Sequence, residues 1–217
     1  MSVRKFEFTN GDFCHIFNRG VDKRDIFLDR DDIGRFLKSM EEFNTTDPIG
    51  SIYENSFTKN KKLRGKASKS SKLVNFICYC LNPNHFHFIL EQVSDKGIEK
   101  FMHKLGTGYT MYFNNKNDRS GSLFQGKFKA VYLSLDDQLL NSSVYVNLNN
   151  EVHQLRGKAS QLIKSSWDEY VTDKNNNFCR KDIILEQFNS TEEYKKFAED
   201  SLEDIKEKKD MEKLLLE

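Results

Sequence analysis

No stretch of the 217-residue chain approaches eighteen consecutive apolar residues, which excludes a membrane-spanning helix. The opening MSVRKFEFTNGD lacks the apolar run and small-residue cleavage site of a secretory leader, so a cytoplasmic location is expected. Cysteine is scarce. Cys14, Cys78, Cys80 and Cys179 include no CxxC pair, which argues against a disulfide framework or a structural zinc site and for buried thiols. Net charge is almost absent too, with 34 basic against 33 acidic side chains. What the chain does have is bulk: 18 Phe and 8 Tyr, enough for a real core and against general disorder.

The near-zero charge hides an asymmetry. Residues 186–217 hold 11 acidic and 6 basic side chains, leaving residues 1–185 with 28 basic against 22 acidic. Within that body, residues 56–90 carry Lys59, Lys61, Lys62, Arg64, Lys66, Lys69 and Lys72 and no acid. Residues 100–135 carry Lys100, Lys104, Lys116, Arg119, Lys127 and Lys129 against Asp118 alone. A polyanion responds to such local fields rather than to the total. Two solvated basic faces would explain the same pattern.

Periodicity predicts the elements. FCHIFNR (13–19) alternates like a strand and is followed by Gly20. From Asp29 to Phe43, Ile33, Phe36, Leu37, Met40 and Phe43 share one helical face. Residues 44–71 read as a long basic loop. LVNFICYCL (73–81) and HFHFILEQV (85–93), broken by Pro83, predict a hairpin. Residues 95–115 predict a helix, 127–133 a strand and 135–149 a helix opened by Ser134. Helical segments near 181–188 and 191–216 follow. The order β-α-β-β-α-β-α predicts an α+β, ferredoxin-like sandwich with a four-stranded antiparallel sheet. The expected division is residues 1–164 as one functional domain and 165–217 as a helical C-terminal extension. LRGKAS occurs at 63–68 and again at 155–160, too short a repeat for a duplicated domain.

Chemistry concentrates at NPNHFHFIL. Residues i and i+2 of a strand point to one face, so His85 and His87 can converge on one ion, with Phe86 and Phe88 turned to the opposite, core face. A bare HxH also occurs as hydrogen-bonded or surface histidines, and a third ligand is needed. On the 135–149 helix, Tyr145 and Asn149 stand at i, i+4, one turn apart. An Asn oxygen is a hard ligand suited to Mg2+ or Mn2+. A phenol near pKa 10 is a poor nucleophile at neutral pH unless its target is polarised by a metal. Leu139, Leu140, Val144 and Leu148 supply that helix with a core face without Tyr145.

Together, Asn18-Arg19-Gly20, YCLNPNHFHFIL (79–90), SGSLFQGKFKA (120–130) and VYVNLN (144–149) resemble the REP-associated tyrosine transposases, a branch of the single-tyrosine HUH transposases. SSWDEYV (165–171) and the 184–197 tract resemble the same branch, so the likeness runs over about residues 10–200. Asn150 stands where that family usually has Pro. The resemblance implies the HUH endonuclease fold. It implies His85, His87 and Asn149 as ligands of a divalent metal, Mg2+ or Mn2+, and Tyr145 as the nucleophile. It also implies a single-stranded DNA endonuclease and strand transferase that binds DNA hairpins of palindromic repeats and cleaves through a 5′-phosphotyrosine, as monomer or homodimer and without a membrane partner. Candidate DNA contacts are Arg19, which could equally brace the NRG turn, Lys61, Lys62, Arg64, Lys66, Arg119, Lys127 and Lys129; Phe124, Phe128 and Tyr132 are candidate stacking platforms, although alternation makes some of them core. His15 and His103 are candidates for extra contacts or for structural histidines, and Gln92 for support of the site. Two other readings stay open: a non-catalytic binder of structured nucleic acid, and a hydrolase of small phosphoesters using water as nucleophile.

Overall fold

The computed structural model describes residues 7–49, 71–134, 137–155, 157–172 and 178–214. The basic tract of Lys61, Lys62, Arg64 and Lys66, and with it the first LRGKAS copy, lies outside the described residues.

Strands β1 (Phe13–Arg19), β2 (Val74–Asn82), β3 (His85–Gln92), β4 (Lys129–Leu133) and β5 (Lys164–Ser165) form one antiparallel sheet in the order β4-β1-β3-β2-β5. The four expected strands are all present. The fifth is a two-residue pairing with Cys80 and Leu81, too short to leave a periodic signal. Helices α1 (Arg30–Glu42) and α2 (Gly97–Lys116) cover one face. The other face carries α3 (Asp137–Asn147), α4 (Asn149–Val152), α5 (Trp167–Val171), α6 (Asp182–Leu185) and α7 (Thr191–Leu214).

Alternation sorts the side chains between the two faces. Ile16, Tyr79, Leu81, Phe86, Phe88 and Leu90 bury against Phe36, Met40, Phe101, Leu105 and Tyr109. Helix α1 begins where the Asp29 carboxylate caps Asp32 N, and its apolar stripe then meets the sheet. The aromatic rings lock at edge-on angles: Phe36 against Tyr109 at 4.7 Å and 88°, Phe76 against Phe101 at 5.4 Å and 88°. On the second face, Phe13, Ile77, Cys78, Ile89 and Leu133 pack with Leu139, Val146, Tyr170, Ile184 and Tyr194. A register shift between Phe76 and Cys78 lets Ile77 and Cys78, neighbours in sequence, both face this second core. The four cysteines are buried, as expected of thiols that act as small hydrophobes.

The tyrosine helix departs from the expected single helix over 135–149. It ends at Asn147, and Leu148 (φ −108°, ψ 22°) separates it from the short turn of α4. The cause is distant in sequence. Ser166 Oγ donates to Asn147 Oδ1 at 2.6 Å and accepts from Tyr79 N at 2.8 Å, while Asn147 Nδ2 donates to the Tyr194 hydroxyl at 3.3 Å. This buried chain fixes the end of the helix to β2 and to α7. Helix α7 adds Ala198 and Leu202 against Val144, Leu148 and Val152.

Candidate active site

The site lies on the second face, at the end of the β2–β3 hairpin. The register pairs Asn82 with His85 and Cys80 with His87 across the hairpin, and Phe17 with His87 and Arg19 with His85 on the other side. As expected from the strand period, Phe86 and Phe88 are 2% and 0% exposed in the opposite core. His87 is buried and His85 half-buried, their rings 5.2 Å apart and nearly perpendicular.

The hairpin turn is tied to the turn that follows β1. Gly20 N donates to Asn84 O, and Ile26 N and Phe27 N both donate to Pro83 O. Gly20 is required here, because a Cβ would stand 2.1 Å from the Arg24 carbonyl oxygen. Asp22 and Lys23 take left-handed φ values of 54° and 59°, which turn the Lys23 carbonyl to accept from Asn84 Nδ2 at 3.2 Å. That bond orients the Asn84 amide, so its oxygen faces His85 Nδ1 at 2.6 Å. An oxygen acceptor needs a proton from the ring, so the neutral His85 carries its proton on Nδ1 and presents the Nε2 lone pair. Nε2 lies 3.2 Å from Asn149 Oδ1. Asn82 Nδ2 sits between them, 2.9 Å from His85 Nε2 and 2.8 Å from Asn149 Oδ1.

His87 has a partner of its own. Its Nδ1 lies 2.8 Å from His15 Nε2, and the two rings stack at 5.1 Å. Tyr145, half-buried on α3, presents its ring edge-on to His87 at 5.6 Å and to His15 at 5.9 Å. Burial holds all three histidines neutral. It lowers His15 to about 4, lowers His85, and pushes His87 well below the ordinary value, with the neighbouring His15, His85 and His153 acting in the same direction. Burial raises the Tyr145 phenol, and Asn149 opposes the rise. The Asn149 Nδ2 group is buried and has no hydrogen-bond partner, while its Oδ1 faces His85 Nε2 and Asn82 Nδ2.

Two lone pairs converging at 3.2 Å, with the His85 tautomer fixed from behind, suit a small divalent cation, for which adjacent ligands are about 3 Å apart. Among the described residues no group of three or more His, Cys, Asp or Glu side chains is arranged to hold a metal, so a set built on the histidine pair would need the neutral Asn149. His85 and Asn149 fit the group on these terms, with no anion between them, and the His87 ring stands beside them at 5.2 Å from that of His85.

The remaining candidates divide. Lys129 is exposed, 5.9 Å above the Phe17 ring, and Phe17 stacks on His87 at 5.5 Å and 18°. Lys127 is exposed. Arg19 Nε bonds Gln125 Oε1 and so braces the FQG turn while its residue stays exposed. Arg119 is turned inward to Asn114 and the Ser122 carbonyl. Phe124 is not a platform: it is 8% exposed and sits against Phe86 and Tyr109, because Gly20 pairs with it in a β-bridge. Phe128 is half-buried against the first core and Tyr132 is 50% exposed on β4. Gln92 is structural, donating to Phe8 O and accepting from Ile98 N at the start of α2. His103 stands on α2, away from the site.

A similar fold occurs in the solved structure of a REP-associated tyrosine transposase bound to a REP hairpin. The TM-score is 0.54 at 11% identity, over 79% of this chain and 86% of that one. The shared property is the fold. No protein-family model and no curated protein matches the chain. No helix among the described residues is long and apolar enough to cross a membrane.

Proposed function

We propose that the chain is a metal-dependent single-stranded DNA endonuclease and strand transferase that acts on hairpin-bearing strands. The observation that carries this reading is the meeting of His85 Nε2 and Asn149 Oδ1 at 3.2 Å beside a tyrosine packed on His87. The fold shared with a hairpin-bound transposase supports it.

His85, His87 and Asn149 would hold a divalent cation, Mg2+ or Mn2+, which when bound supplies Lewis acidity to the scissile phosphate. None of the three is anionic, so the charge of the site is completed by the phosphate itself. Tyr145 is held by α3 with its ring edge-on to His87, and Asn149 favours its anionic form. Its oxygen attacks phosphorus, a Tyr–O–P bond forms and the P–O3′ bond breaks. The proton lost by the phenol is regained by the departing 3′ oxygen. The phosphotyrosine keeps the bond energy, and attack by a 3′-hydroxyl reverses the step without a nucleotide cofactor. Lys127, Lys129 and Arg19 offer exposed cations for the strand backbone.

The test is incubation with hairpin-bearing single strands and Mg2+ or Mn2+. A covalent protein–DNA adduct that Tyr145→Phe abolishes is expected. Adduct formation by that variant overturns the nucleophile. Tight hairpin binding without cleavage under either metal would mark a non-catalytic binder instead.

A further inference from the structure

Asn82 has no role in the reading above, yet it stands at the centre of the ligand set. It is fully buried, and its Nδ2 donates to Asn149 Oδ1 at 2.8 Å and to His85 Nε2 at 2.9 Å. With the 3.2 Å between those two acceptors, the three atoms form a nearly equilateral triangle. The His85 Nε2 atom has a single lone pair. While it accepts from Asn82 it has nothing to offer a cation, so coordination requires the Asn82 amide to let go.

The side chain has a way to do so without leaving its place. Rotation of the carboxamide by half a turn exchanges Oδ1 and Nδ2. Oδ1 now accepts a weak bond from Cys80 Sγ at 3.7 Å, which costs little to lose. After rotation three acceptors would face one another with edges near the 2.8–3.2 Å measured now. Three mutually repelling lone pairs are unfavourable in an empty site and favourable around a cation, and about 3 Å is the edge of an octahedral Mg2+ or Mn2+ shell. Each orientation therefore suits one state of the site.

We propose that Asn82 is an additional side chain of the cation site, donating Nδ2 to His85 and Asn149 in the metal-free protein and inverting to ligate through Oδ1 when a divalent cation binds. The proposal rests on His85 and Asn149 being ligands. It makes the hairpin itself, through the cross-strand pair Asn82–His85, a contributor of two adjacent donors.

The experiment is calorimetric titration of the full-length, metal-free protein with Mn2+ in the absence of DNA, comparing wild type, Asn82→Asp and Asn82→Leu. Asn82→Asp places oxygen at both branches and should bind Mn2+ about tenfold or more tightly than wild type. Asn82→Leu removes the amide and should bind several-fold more weakly. Equal or tighter binding by the Leu variant would make Asn82 a plug that competes with the metal, and overturns the proposal. So does unchanged affinity in the Asp variant, or no Mn2+ binding by wild type and Asp variant alike. Should Asn82→Leu fail to fold, the Asn82 side-chain amide resonance of wild type decides: a large shift on Mg2+ addition supports inversion, and an unmoved resonance overturns it. A protein that follows this Mn2+ pattern but forms no DNA adduct keeps Asn82 and loses the proposed activity. Adduct formation with Mn2+ binding indifferent to Asn82 does the reverse.

Discussion

Strand β3 shows two kinds of environment on one backbone. Phe86, Phe88 and Leu90 point into a dry core of interlocked rings, while His85 and His87, one residue over, point into a lattice of polar side chains. The first face is held by many small, interchangeable contacts. The histidine end of the second face, beyond Ile89, is held by few, directional ones: Lys23 O orients Asn84, Asn84 orients His85, His15 meets His87. The apolar contacts of both faces set whether the chain folds. The polar face sets what state each ring nitrogen is in.

The sharpest way to separate the two is Tyr145→Phe. It should reduce covalent adduct formation by more than about a thousandfold, measured on denaturing gels, while thermal unfolding stays near wild type. A comparable loss of stability would mean that Tyr145 belongs to the core after all. The mirror experiment is Phe88→Ala, expected to destabilise by about 3–5 kcal/mol in chemical denaturation. A mild effect there would break the contrast from the other side. Between pH 7 and 4 acid should act chiefly through the buried histidines. Unfolded histidines take up a proton near 6.5, whereas folded His15 does so only at about 4 and His85 and His87 are shifted in the same direction. Stability is therefore full above pH 6.5 and declines as pH falls towards 4, by on the order of 3 kcal/mol for His15. A denaturation midpoint constant from pH 7 to 4.5 would contradict this.

Two smaller effects probe the directional contacts. His15→Phe keeps the ring and removes the nitrogen that meets His87, so Mn2+ affinity should fall roughly tenfold, with His15→Gln recovering part of it by calorimetry. Lys129→Ala should weaken single-stranded DNA binding less than about tenfold and reduce the salt slope by about 0.7. An unchanged slope would remove Lys129 from the interface.

The two faces also differ in how much of them the sequence reveals. The HFHF alternation places four side chains correctly because strand period is a local property. The stripe of Ile33, Phe36, Met40 and the stripe of Phe101, Leu105, Tyr109 are legible for the same reason. Tyr145 and Asn149 read as one helical turn apart, but the helix breaks between them at Leu148. The capture of Asn147 by Ser166 and Tyr194, which fixes the helix end, has no signature within the helix. His15 meets a partner 72 residues away, and only strand register, not spacing, could reveal it. Asn82 offered the one missed local signal: in LNPNH it is placed to face His85 across the hairpin. Of the three aromatic candidates, Phe124 is the one in the core, and the single β-bridge to Gly20 that draws it inward is not legible in the sequence.

The packing of α7 on the tyrosine helix has a consequence in time. Ala198 and Leu202 reach Val144, Leu148 and Val152, and Tyr194 reaches Asn147, from about fifty residues downstream. A ribosome adds those residues seconds after it has added the histidine hairpin and the tyrosine. A growing chain therefore holds its paired rings first and its anchored phenol later, so a half-made copy carries Tyr145 without the frame that positions its ring.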